Sequence, residues 1–231
     1  MKTWIERAAL SCGLAAAGCT GGPADEPWIP GEHGVLAMHR ATLGGAAGNG
    51  APAAPCASPE VLFAEDFSDN AARWNLAAGW EIGPARTSSD QRAGLPDPAV
   101  DHTPTGDNGL AGVLLGGSPS ITTSHPQRYL TSPAVDAGAS GRITLSFWRW
   151  LNTTYRNKVH VEVFDGSRWQ IVYESPNGDV TDTGWKHVAY DVTPHRNPGL
   201  RVRFGYSAVI AFGGAPMSGW NLDDVQISAC R

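Results

Sequence analysis

Two carboxylates, Asp223 and Asp224, stand side by side in the stretch GWNLDDVQISAC (219–230), where a short apolar strand containing Val225 and Ile227 begins. Adjacent like charges repel, and a buried carboxylate is costly unless hydrogen bonds or a cation compensate it. Alternate residues of a strand face opposite sides. The pattern therefore predicts Asp223 on the face of Val225 and Ile227, turned into the core, and Asp224 outward with Gln226 and Ser228. The compensation open to Asp223 is a metal ion, or else backbone N–H groups at a turn or an ion pair with Arg201 or Arg203. His160 and Glu162 share another strand face and could bind a metal, but they read better as a solvated face. Trp148 and Trp150, two residues apart and flanked by Thr144 and Ser146, place two indoles about 7 Å apart on one sheet face. That spacing suits stacking of sugar rings, and it equally suits packing beneath a loop.

The elements that must position these groups are short and alternating. RITLSFWRWLN (142–152) puts Ile143, Leu145 and Phe147 on one face, with Arg149 where that face should end. KVHVEVFDGSRWQIVYES (158–175) reads as two strands around an Asp165-Gly166 turn. WKHVAYDV (185–192), LRVRFGYSAV (200–209) and NLDDVQISA (221–229) complete the series. Strands recurring between turns, with no long amphipathic helix after residue 56, predict an all-β fold: a β-sandwich of two antiparallel sheets. One domain covers 56–231. Residues 19–55 are rich in Gly, Ala and Pro, show no sustained period, and read as a flexible tether.

Residues 1–18 carry Lys2 and Arg7 ahead of a small, mildly apolar run, too short to span a membrane and suited to a secretory signal. Ala16-Ala17-Gly18-Cys19 resembles a bacterial lipobox, which implies a lipid on Cys19 and a protein anchored in the bacterial cell envelope; an ordinary secreted protein is the alternative. Of the four cysteines, Cys12 leaves with the leader and Cys19 takes the lipid. Cys56 and Cys230 remain, an even pair in an oxidising compartment, and a disulfide between them is expected. A net charge of −5 without basic runs disfavours a nucleic-acid or anionic-membrane partner, and no nucleic acid is expected.

Several pieces then fall in order: FAEDFSD (63–69), RWNL (73–76), GP (83–84), DHT (101–103), YLTSPAVD (129–136), LSFWRW (145–150), DGSRW (165–169), Trp185 and GWNLDDVQI. In this order the chain resembles a MAM-type domain and its bacterial jelly-roll relatives found beside secreted proteases and adhesins. It departs from animal MAM domains at Ser68, where a glutamate is usual. The resemblance implies a jelly roll with neighbouring first and last strands, no catalysis, and a role in adhesion or recognition of a protein partner or surface glycan. It also implies a structural calcium held by Asp66, Asp101 and Asp223, with Asp224 as a substitute. His102 of DHT reads as a hydrogen-bonding structural histidine. The E-x-D-x-x-E strand of concanavalin-like glucanases, the H-E-x-x-H helix and the G-x-S-x-G elbow are all absent, so an enzyme is not expected. A carbohydrate-binding module using Trp148 and Trp150 is the alternative.

Overall fold

The computed structural model describes residues 58–139, 141–210 and 216–230. The expected signal (1–18), the tether (19–55), Cys19 and Cys56 lie outside the described residues. The strands run β1 (Pro59–Glu65), β2 (Asn75–Leu76), β3 (Trp80–Pro84), β4 (Gly109–Val113), β5 (His125–Thr131) and β6 (Arg142–Thr153). They continue with β7 (Val159–Phe164), β8 (Trp169–Glu174), β9 (Val180–Thr181), β10 (Lys186–Asp191), β11 (Arg201–Ala208) and β12 (Trp220–Cys230). They form two antiparallel sheets. The first has the order β10-β6-β12-β4-β3, with β1 also on β12 and β9 on β6; the second is β2-β5-β11-β7-β8. The all-β sandwich read from the alternation is the fold.

The core is made where the inner faces meet. Ile143, Leu145, Phe147 and Leu151 of β6 point inward beside Val161 and Val163 of β7, Val202 and Phe204 of β11, and Ile227 of β12. Trp220 meets Trp80 and Phe204 edge-on at 5.9 and 5.6 Å, which satisfies the ring quadrupoles as well as burying area. The buried face of β6 does not stop at Arg149. Arg149 lies inside the strand on the core side, and its guanidinium is paired at 3.0 Å with Asp182, whose side chain is wholly buried. The ion pair lets the apolar face resume at Leu151, an outcome that one charged residue in an alternating run conceals.

The 165–168 turn forms as expected, with Gly166 at φ 97°, a conformation costly for other residues. The Asp165 carboxylate accepts from Gln170 and from the backbone N–H groups of Arg168 and Ser167, which together hold its pKa down. First and last strands are neighbours: β1 runs antiparallel to β12 with Pro59 opposite Cys230.

Candidate functional site

Strand β12 changes partner along one edge. Asn221 and Leu222 pair with β4, whereas Val225 to Cys230 pair with β1. Asp223 and Asp224 fall in the gap, and a bulge in the pairing with β6 occurs at the same place. Asp224 has φ 49°, a left-handed conformation that aspartate tolerates better than most residues. The bulge overturns the expected facing of Asp223. Leu222 and Val225 both reach the core, so the parity flips between them, and Asp223 emerges on the outer face opposite Trp148. It is nevertheless fully buried, because the DHT segment lies over it.

Asp223 accepts backbone N–H bonds from His102 at 2.8 Å, Thr103 at 3.1 Å and Asp224 at 2.8 Å. Asp224 takes the Thr103 hydroxyl at 2.6 Å and pairs with His102 Nδ1 at 2.7 Å. Burial pushes the Asp223 carboxyl up to about 6, against the lowering effect of these bonds and with a further upward push from Asp224. The compensation is thus the backbone-donor one among those read from sequence. Neither expected arginine pairs with Asp223: Arg203 is committed to Glu162, and Arg201 lies over the Phe164 ring.

The other two carboxylates of the predicted set lie nearby. Asp66 is exposed, accepts the Ser68 N–H at 3.1 Å, and shares with Glu65 and Asp224 a cleft of about 250 Å³. Asp101 is half-buried; its pKa is raised by burial, then by Asp107, with Asp224 contributing. The four aspartates are therefore neighbours. Among the described residues, no group of three or more His, Cys, Asp or Glu side chains is arranged to hold a metal ion. Glu65, which the sequence did not single out, is used locally: it accepts from Phe67 N–H and Trp74 Nε1, both at 3.0 Å.

The outer face of the first sheet carries Trp148 and Trp150, with Trp185, the residue just before β10, beside them. The β3–β4 loop roofs them. His102 stacks on Trp148 with centroids 3.6 Å apart and planes 15° from parallel. Trp150 Nε1 donates to the Pro96 carbonyl at 3.1 Å and Trp185 Nε1 to the Val100 carbonyl at 3.2 Å. Trp150 and Trp185 meet edge-on at 6.0 Å. All three indoles are half-buried.

A second constellation occupies the outer face of the other sheet. The Arg203 guanidinium sits between the rings of Tyr129 and Trp169, 3.9 and 4.1 Å from their centroids. Its Nε and Nη2 donate to Glu162 at 2.9 and 2.5 Å, and the Tyr129 hydroxyl donates to the same carboxylate at 2.8 Å. Burial alone would raise Glu162, but bonds from His160, Arg203 and Tyr129 outweigh it and bring the carboxyl to about 2. Burial and Glu162 together push Tyr129 up to about 12. The expectation of a solvated His160–Glu162 face is therefore wrong for Glu162, which is buried under this network. The alternation of LRVRF puts both arginines outward, but their partners come from β5, β7 and β8, and no local pattern names them.

No family model matches the chain, and no curated protein matches it. Among solved structures it is similar to the K1 cleaved adhesin domain of Lys-gingipain from Porphyromonas gingivalis W83, at 16% identity over 75% of this chain and 99% of that one, TM-score 0.42. It is also similar to the CBM22-1 xylan-binding domain of Paenibacillus barcinonensis Xyn10C, at 14% identity over 80% and 99%, TM-score 0.42. A third is TmCBM61 in complex with β-1,4-galactotriose, at 12% identity over 71% and 97%, TM-score 0.42.

Proposed function

We propose that this chain is a non-catalytic recognition protein, one MAM-like β-sandwich held on a tether at the bacterial envelope by a lipid on Cys19. The reading is supported chiefly by how the carboxylates are spent. Asp97 accepts from Gly219 N–H and Asn221, Asp182 from Arg149 and Leu151 N–H, Glu162 from Arg203 and Tyr129, and Asp223 from the DHT backbone. Hydrolysis of a glycan needs one carboxylic acid and one carboxylate facing each other across an open groove. These buried carboxylates instead knit loops to strands, while aromatic rings gather on the outer faces of both sheets, one roofed by the β3–β4 loop and the other suited to holding a surface glycan or a protein partner. The test is co-sedimentation of the purified chain with intact bacterial cells and with insoluble polysaccharides, assayed in parallel for new reducing ends. Sedimentation without product is expected. Product above the level of a Glu162→Gln, Asp223→Asn control would make it an enzyme, and failure to sediment with any surface would remove the recognition reading.

A structural calcium held by Asp66 and Asp224 is supported by the cleft those two residues border, although no third carboxylate, histidine or cysteine among the described residues is arranged with them to hold an ion. A rise of several degrees in melting temperature on adding calcium, lost in Asp66→Asn, is the expected result; superimposable melts with calcium and with chelator would exclude it. The Cys56–Cys230 disulfide is supported by the strand register, since Pro59, three residues after Cys56, lies opposite Cys230.

A further inference from the structure

We infer that the outer face of the second sheet, centred on Trp169, Arg203, Tyr129 and Glu162, is a binding platform for a neutral polysaccharide. This rests on the recognition reading above and names where, and for what chemistry, recognition happens. The argument begins with a missing side chain. On β11, Gly205 follows Arg203 on the same face and lies opposite Tyr129 of β5 and His160 of β7. A Cβ there would come within 2.5 Å of the Tyr129 ring and collide with the Gln127 amide. Glycine therefore lets the tyrosine lie down across β11, far enough for its hydroxyl to reach Glu162 on the next strand. The same carboxylate grips Arg203, whose plane is clamped between two rings.

The result is a surface with little freedom left to lose. Four side chains from four strands brace one another, and none is on a mobile loop. Rigidity of this kind lowers the entropy cost of binding. Trp169 opens the β8 edge of the sheet and remains half-exposed, so a long chain can run across the face and off its margin. Bonds to Glu162 use Nε and Nη2 of Arg203, which leaves Nη1 for a ligand.

The chemistry of the face selects the ligand. Arg203 is matched by Glu162 and Lys158 by Glu174, which leaves Arg201, lying over the Phe164 ring, as a lone outward cation, too little charge to select an acidic chain. It presents an indole, a phenol ring and planar hydrogen-bonding groups, with Ile171 of β8, opposite Glu162, as an exposed aliphatic neighbour that is too small by itself to seat a hydrophobic peptide. A sugar has an apolar C–H face for the rings and hydroxyls for guanidinium and carboxylate edges. Arg203 covers one side of Trp169 as His102 covers one side of Trp148, but the Trp148 face is less suited because the β3–β4 loop roofs it and its carbonyls take the Trp150 and Trp185 N–H groups.

The experiment is native affinity electrophoresis of the full chain in gels containing xylan, galactan or mannan, with polygalacturonate as the acidic comparison. At least one neutral chain should retard the protein, and Trp169→Ala should weaken that retardation about tenfold, equivalent to about 1.4 kcal/mol; Trp148→Ala should leave it unchanged. A measurement on the unmutated chain keeps the test independent of folding: the bound polysaccharide should protect Trp169, and not Trp148, from oxidation by N-bromosuccinimide, read by peptide mass. Retardation that depends on Trp148 or Trp150, an unprotected Trp169, or retardation by polygalacturonate alone would overturn the assignment. So would no retardation by any neutral chain, and that outcome would leave co-sedimentation with cells to decide the recognition reading separately.

Discussion

Asp223→Ala isolates the pairing that joins the bulge of β12 to the DHT segment. The substitution leaves three backbone N–H groups, of His102, Thr103 and Asp224, without the acceptor they share. A buried donor left unpaired costs about 1–3 kcal/mol. His102 and Thr103 are half-buried, so water recovers part of their loss. Removing the carboxylate also relieves its own burial and its repulsion with Asp224, the two influences that raise its pKa. The net cost is about 2–4 kcal/mol, or a fall of about 5–15 °C in Tm for a domain of this size. Asp223→Asn should fall between the variant and the native chain. Both Asp223 oxygens accept backbone donors, so the amide retains one acceptor and turns an NH₂ group toward the other donor. Asp66→Asn, on an exposed side chain, should stay within about 0.5 kcal/mol of the parent. The assay is thermal unfolding by circular dichroism in chelator, with hydrogen exchange at the His102 and Thr103 amides as a local reading. An Asp223→Ala melt within about 2 °C of the native one, with both amides still protected, would refute the claim that this carboxylate holds the loop.

Gly205→Ala should destabilise by about 1–3 kcal/mol, since its Cβ collides with the Tyr129 ring; the Tyr129–Glu162 bond should break with it, shown by the tyrosine titrating below about 12. The Glu162 carboxyl sits near 2 in the fold against 4.5 unfolded, so its stabilisation is complete above about pH 4.5 and lost as pH falls through 2. The stability gap between the native chain and Glu162→Gln should therefore be widest near neutrality and close between those values; a pH-independent gap in denaturant titrations would contradict it. Trp74→Ala should cost about 3–5 kcal/mol, because the ring packs on Phe63, Phe67 and Phe204 and its Nε1 holds Glu65. Peptide mapping without reductant should recover the peptides of Cys56 and Cys230 joined, and separate peptides would dismiss the disulfide.

What was legible in the sequence was whatever one strand carries by itself. The alternation of Ile143, Leu145 and Phe147, the Asp165-Gly166 turn and the closing apolar strand each express a period or a turn preference acting over a few residues, and each appears in the fold. Arg149 shows where such reading fails: its charge looked like the end of a buried face, because the Asp182 that neutralises it arrives from another part of the chain. The same holds for the outer faces. Whether Trp148 is a free platform or a roofed one depends on His102, and whether Glu162 is solvated depends on Tyr129 and Arg203; none of these pairings has a short-range signature.

The two aspartates show the limit most clearly. Period-two alternation is a reliable guide only while the strand keeps its pairing, and Asp223 and Asp224 lie where β12 passes from β4 to β1. A strand exchanging neighbours has unpaired backbone at the exchange, and a bulge there reverses the parity of everything after it. Two carboxylates at that point are then no anomaly. One gathers the N–H groups of the incoming loop, the other takes its hydroxyl and imidazole, and the loop so fixed supplies the roof over Trp148, Trp150 and Trp185. The acidic pair thus closes one outer face of the sandwich, and the polysaccharide platform proposed above lies on the other, around Gly205.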